Sequence, residues 1–176
     1  MPNRKKVERS ANYSYYSDLL WCTVPLIGMS WYYYGARPVL LLLAALLTAY
    51  LCDCALAPLH GTGYQSHEPS SECFAALIAL LMPASISYPI VISAVIVAVL
   101  VKEAFGGIGH NLFNPAMAAR GLLLVAFPTL LTGYTRPDAV SSATPLSGIG
   151  SPGGPAEWLP MLTGTENGSM GETSAL

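Results

Sequence analysis

A run of small and hydroxyl-bearing residues, Asp138-Ala139-Val140-Ser141-Ser142-Ala143-Thr144-Pro145-Leu146, stands in the longest non-apolar loop of an otherwise apolar chain. A threonine hydroxyl is a weak nucleophile until a base or metal activates it, so alone Thr144 reads as an ordinary loop hydroxyl. The second stretch is Phe105-Gly106-Gly107-Ile108-Gly109-His110-Asn111-Leu112-Phe113-Asn114-Pro115-Ala116-Met117. Its glycines, Gly107 and Gly109 among them, allow close backbone approach. Asn114 is a favoured helix N-cap and Pro115 suits the first helical position. The positive end of that helix would favour an anionic group such as phosphate; the plainer reading is a tight, well-capped turn between helices.

Ionisable residues near apolar segments form the third group. Asp53 lies inside one apolar run, while Glu72 and Glu172 open later ones. Such residues serve cation conduction or coupling, or are acids favoured by a helix N-terminus. Arg120 could pair with a phosphate or carboxylate, or lie against backbone carbonyls. His60, His67 and His110 fall in loops, and Cys52-Asp53-Cys54 reads as small residues at a span end, so no metal site is expected. No residue is assigned a catalytic role.

The elements that must position these groups are helices in lipid. The chain is 53% hydrophobic and only 10% charged, against about 25% charged in soluble domains. That depletion predicts an all-α, polytopic membrane bundle. No basic stripe points to nucleic acid, and the cysteines, set in or beside apolar segments, do not form a secreted disulfide framework. Arg4, Lys5, Lys6 and Arg9 precede no compact apolar run with a cleavage site, so residues 1–18 read as a cytoplasmic flank rather than a signal peptide.

Residues 19–131 read as a membrane domain of about five transmembrane helices. The first run, 19–34, ends in the aromatic belt Trp31-Tyr32-Tyr33-Tyr34; the second is 39–59. Pro83 and Pro89 interrupt 73–101, which predicts two short helices, 72–82 and 89–102, of the broken kind found in transporters. A fifth run, 115–131, follows the glycine loop. Five crossings from a cytoplasmic N-terminus place the loop 132–171 outside; one span across 73–101 would reverse its side. Gly171-Glu172-Thr173-Ser174-Ala175-Leu176 parallels Ser71-Glu72-Cys73-Phe74-Ala75-Ala76-Leu77, as the start of a second, inverted repeat would.

The glycine stretch 105–117, the stretch 138–146 and the ending 171–176, in that order and spacing, resemble the RnfD family, membrane subunits of the Rnf ion-translocating electron transport complex. That family is related to a membrane subunit of the sodium-pumping NADH:quinone reductase. The resemblance runs from about Glu72 to Leu176; the first seventy residues share only a basic, then hydrophobic, character. It implies that the chain corresponds to the first of two repeats and that 172–176 begins the second. It further implies that Thr144 carries FMN through a phosphoester set by a flavin transferase. Asp138, Ser141, Ala143 and Thr144 match the transferase pattern, and Ser142 stands where glycine is usual. Small residues at 141–143 would let the backbone enter the transferase, which supplies the activation the hydroxyl lacks.

The implied function is electron passage through FMN in a complex moving electrons between ferredoxin and NAD, coupled to Na+ or H+ transport. The complex would lie in a bacterial or archaeal cell membrane. The implied partners are the other Rnf subunits, the transferase and lipid. Gly107, Gly109 and Asn114 are further candidates for flavin or helix-end contacts. The competing classes are a structural scaffold and a small-solute channel, for which Asn114-Pro115-Ala116 invites an aquaporin comparison; neither predicts a bound flavin.

Overall fold

A computed structural model describes residues 4–60, 69–105, 112–135, 141–142 and 168–171. Six helices carry the fold: α1 (Arg4–Tyr34), α2 (Arg37–Leu56), α3 (Ser70–Leu81), α4 (Tyr88–Ala104), α5 (Pro115–Ala126) and α6 (Pro128–Thr132). A 3-10 turn, Ala57–His60, follows α2. Two short strands, β1 (Tyr134–Thr135) and β2 (Ser141–Ser142), pair antiparallel with Tyr134 opposite Ser142. The all-α membrane class read from composition holds.

The bundle is built around small residues. Ala45 and Ala49 on α2, Ala75 and Ala76 on α3, Ala94 and Ala98 on α4 and Ala119 on α5 are all buried. Small side chains let helix backbones approach closely where lipid removes any hydrophobic drive between helices. Larger residues such as Leu41, Ile78, Met82 and Val95 fill the spaces between them, while one face of α2 points out: Leu40, Leu43, Leu47 and Leu51 are 52–60% exposed. A soluble protein rarely exposes so broad an apolar face, and acyl chains are the solvent that suits it. Among the described residues one helix, α2, with mean hydropathy 2.3, is long and apolar enough to cross a bilayer unaided; α3 and α5 are shorter apolar helices.

The break expected between Pro83 and Pro89 is a reversal. Ser71 and Lys102 lie at opposite ends of the 70–104 stretch, yet Ser71 Oγ and Lys102 Nζ are 2.6 Å apart. The chain therefore runs down α3, turns through residues 82–87 and returns along α4, making two passes of the bundle. Proline explains the turn: Pro83 has no N–H to continue α3 and pushes Met82 into an extended conformation (φ −92°, ψ 156°). At that turn Arg37 Nη2 donates to the carbonyls of Ser85 (3.1 Å) and Ile86 (3.3 Å).

Two boundaries differ from expectation. The first helix does not begin near residue 19: α1 is helical from Arg4, within the segment read as a flank, and continues unbroken to Tyr34, 31 residues, about 46 Å at 1.5 Å per residue. That is longer than the ~30 Å hydrocarbon core of a bilayer. The fifth run is not one helix either. Pro128 cannot donate and forces Phe127 out of helical geometry (φ −135°, ψ 61°), splitting 115–131 into α5 and α6. The remaining expectations on 61–68, 106–111, 136–140, 143–167 and 172–176, including the start of a second repeat, lie outside the described residues.

Candidate functional site

The helix directions give the bundle two ends. At one, the last turn of α2, the first turn of α3 and the last turn of α4 meet. At the other lie the α1–α2 turn at Gly35 (φ +71°), the 82–87 break and the segment 168–171. The chemistry divides between these ends.

At the first end Asp53 is not an isolated acid. Its Oδ1 accepts from Ser71 Oγ at 2.9 Å and lies 3.4 Å from Lys102 Nζ. Lys102 also stands 3.4 Å from Glu103 Oε1. The Lys102 and Asp53 side chains are only 7% and 15% exposed. A charge so buried is costly unless paired and hydrogen-bonded, and this cluster meets both conditions with residues from three helices. Helix ends reinforce it: the carboxylate faces the positive start of α3, and the ammonium sits on the negative end of α4. Glu72 occupies the first turn of α3, as read from the sequence.

The glycine loop opens from the same end. Phe105 after α4 and Phe113 before α5 pack edge to face, centroids 6.1 Å apart, so the loop's two stems converge. Asn114 is the α5 N-cap, accepting from Ala116 N–H at 3.0 Å. Its side-chain oxygen thus serves its own helix. Asn114→Ala should destabilise the start of α5 by about 1 kcal/mol, read as faster amide exchange at residues 116–118 with α2–α4 unchanged. Gly107, Gly109 and His110 lie outside the described residues.

The second end holds both stems of the long loop. On one side α6 leads into β1. Arg120 Nη2 lies 3.4 Å from Tyr134 Oη, and Tyr134 pairs through β1 with Ser142. On the other side Met170 N–H donates to Met82 O (3.1 Å) and Gly171 N–H to Leu80 O (2.8 Å). These bonds satisfy carbonyls freed where α3 stops. Ser169 and Met170 are buried against the bundle. A methyl group on Gly171 would meet Leu80 Cβ at 3.2 Å and its carbonyl oxygen at 3.3 Å, which fits glycine there.

Of the predicted site residues, Ser141 and Ser142 are described as the strand paired with β1, and Asn114 as a cap. Asp138, Ala143 and Thr144 lie outside the described residues. Sequence reasoning missed the partners of Asp53. Ser71 and Lys102 are 18 and 49 residues away, and only the antiparallel reversal brings them together. Among the described residues, no group of three His, Cys, Asp or Glu could hold a metal, and the four cysteines are free thiols.

Comparison with known proteins gives one consistent picture. The model of the NQR2, RnfD, RnfE family matches residues 7–176. A protein of Actinobacillus pleuropneumoniae serotype 5b, named as the D component of an ion-translocating oxidoreductase complex, is 36% identical over 136 residues, covering 74% of this chain and 39% of the relative. Proteins of the same name are similar in Shewanella frigidimarina, 35% over 123 residues (68% of this chain, 35% of the relative), and Cronobacter sakazakii, 30% over 128 (70% and 36%). The chain spans less than two fifths of the length of these relatives.

Proposed function

This chain belongs to the NQR2, RnfD, RnfE family, and from that premise we propose that it is a multi-pass electron-carrying subunit of an ion-translocating oxidoreductase complex. Its redox group is FMN, esterified through phosphate to Thr144. The observation that carries this reading is the conjunction of motifs 105–117 and 138–146 in a chain whose relatives are named for ion-translocating oxidoreduction. The complex moves electrons between ferredoxin and NAD and drives Na+ or H+ across a bacterial or archaeal cell membrane. It works with other membrane and peripheral subunits.

In this reading FMN supplies one- and two-electron chemistry. The chain's own residues do the rest. Ser141 and Ser142 start the acceptor loop from a strand fixed to β1. Arg120, beside Tyr134, would offer positive charge to the phosphate. The anchoring of residues 170–171 on Leu80 and Met82 holds the other stem of the loop. The Asp53–Ser71–Lys102 cluster at the opposite end belongs to the ion path. The basic residues at the start of α1 assign that end to the cytoplasm, so five passes bring the Thr144 loop to the outer face.

Two experiments test this reading. Co-expressed with its flavin transferase, the protein should fluoresce as a flavoprotein in a denaturing gel, and Thr144→Ala should be dark; fluorescence surviving Thr144→Ala would sink the assignment. A cysteine placed at Ser151 in a background lacking the native cysteines should react with an impermeant maleimide from outside. Reaction only from the cytoplasmic side would overturn the five-pass arrangement.

A further inference from the structure

Lys102 does more than neutralise a buried acid. Its Nζ is ringed by three oxygens from three residues: Ser71 Oγ at 2.6 Å, Asp53 Oδ1 at 3.4 Å and Glu103 Oε1 at 3.4 Å. Oxygen is the donor that hard cations take, and the carbonyl end of α4 adds favourable potential for positive charge. We propose that Lys102 is a tethered cation occupying, between Asp53 and Ser71, a seat for a free monovalent cation, with Na+ the cation that exchanges for it. The inference rests on the ion-translocating reading given above and adds how the site is gated.

Three features favour exchange over a fixed pair. A lysine ammonium is a compact charge on a flexible four-carbon stem, so it can leave while the helices stay in place. When it leaves Asp53 it still has a carboxylate, because Glu103 is its chain neighbour and stands as close as Asp53. The swap also conserves charge: one positive group departs and one arrives, so Asp53 is never left as an uncompensated carboxylate in a low-dielectric interior. An apolar bundle can open such a site to an ion without the cost of burying a bare charge. Ser71, which donates to Asp53 and accepts from Lys102, keeps the carboxylate oriented in both states.

The test uses the purified, assembled complex, melted in NaCl and in choline chloride of equal ionic strength. Wild type should melt alike in both. Lys102→Gln should melt lower in choline and recover in NaCl, saturably, because Na+ fills the vacated seat. Asp53→Asn with Lys102→Gln should show neither the fall nor the recovery, and Lys102→Arg, which keeps the tethered charge, should behave as wild type. A Lys102→Gln complex without a Na+-specific gain, or a double variant that keeps it, would overturn the proposal. In membrane vesicles, half-saturation of electron-driven Na+ uptake should fall about tenfold in Lys102→Gln; an unchanged value also overturns it. Wild-type vesicles that take up no Na+, with the melting pattern intact, would leave the seat standing and remove the transport reading instead.

Discussion

Asp53→Ala is expected to destabilise the bundle by about 3–5 kcal/mol, the typical cost of stranding one member of a buried ion pair. The lower part of that range applies, because the Asp53 side chain keeps 15% of its surface exposed and Lys102 retains Glu103. At roughly 2–4 °C per kcal/mol for a domain this size, the melting temperature should drop by about 6–12 °C. The loss should be local in origin: amide exchange should rise first at the last turns of α2 and α4 and the first turn of α3. Asp53→Asn should cost less, since the amide oxygen still accepts from Ser71. Pairing Asp53→Ala with Lys102→Met should recover most of the loss, because neither variant then leaves a buried charge alone. A double variant as unstable as the sum of the singles would show that the two residues act independently.

The second large effect is on cofactor content. Thr144→Ala removes the one hydroxyl in the acceptor pattern at the required position, so covalent flavin should fall to background. Thr144→Ser keeps a hydroxyl and should retain flavin, at reduced yield. Ser141→Ala and Ser142→Ala should both keep it, since their hydroxyls are not the attachment point. Ser142→Gly should raise the yield under limiting transferase, because glycine frees the backbone that must enter the transferase cleft. Equal flavin in Ser142→Gly and wild type at limiting transferase would mean that the serine is no obstacle. Flavin transferred to Ser141 or Ser142 in the Thr144→Ala chain would mean that the loop, not the position, is recognised.

Composition and proline placement made much of the architecture legible. The apolar runs marked α2 and the short helices, and Pro83 and Pro89 marked the break that separates α3 from α4, because proline's missing N–H acts locally. Asn114 and Pro115 likewise placed the start of α5 to the residue. Pro128 offered the same kind of signal within 115–131, and reading past it merged α5 with α6. The helical course of residues 4–18 was hidden for a different reason: its polar side chains carry no apolar run, and its continuity with α1 appears only in the backbone.

The site was legible in its motifs and not in its pairings. Asp53 could be singled out as an acid in an apolar run, but its partners depend on α3 and α4 folding back beside α2. No period or spacing encodes a contact across 49 residues. The same holds for Arg37 on the carbonyls of Ser85 and Ile86 and for Met170 and Gly171 on the end of α3. Each satisfies backbone exposed by the break, so the break was predictable and the groups that cap it were not. Together they tie down the bundle end opposite the Asp53 cluster, where residues 168–171 lie.

The most direct measurement of the central claim is mass spectrometry of the peptide containing Asp138–Leu146 from protein matured with its transferase. The predicted result is a mass increase of one FMN less one water, with fragment ions placing it on Thr144 and its absence from the Thr144→Ala chain. An unmodified peptide from matured wild-type protein, or the same increment on any other residue, would contradict it.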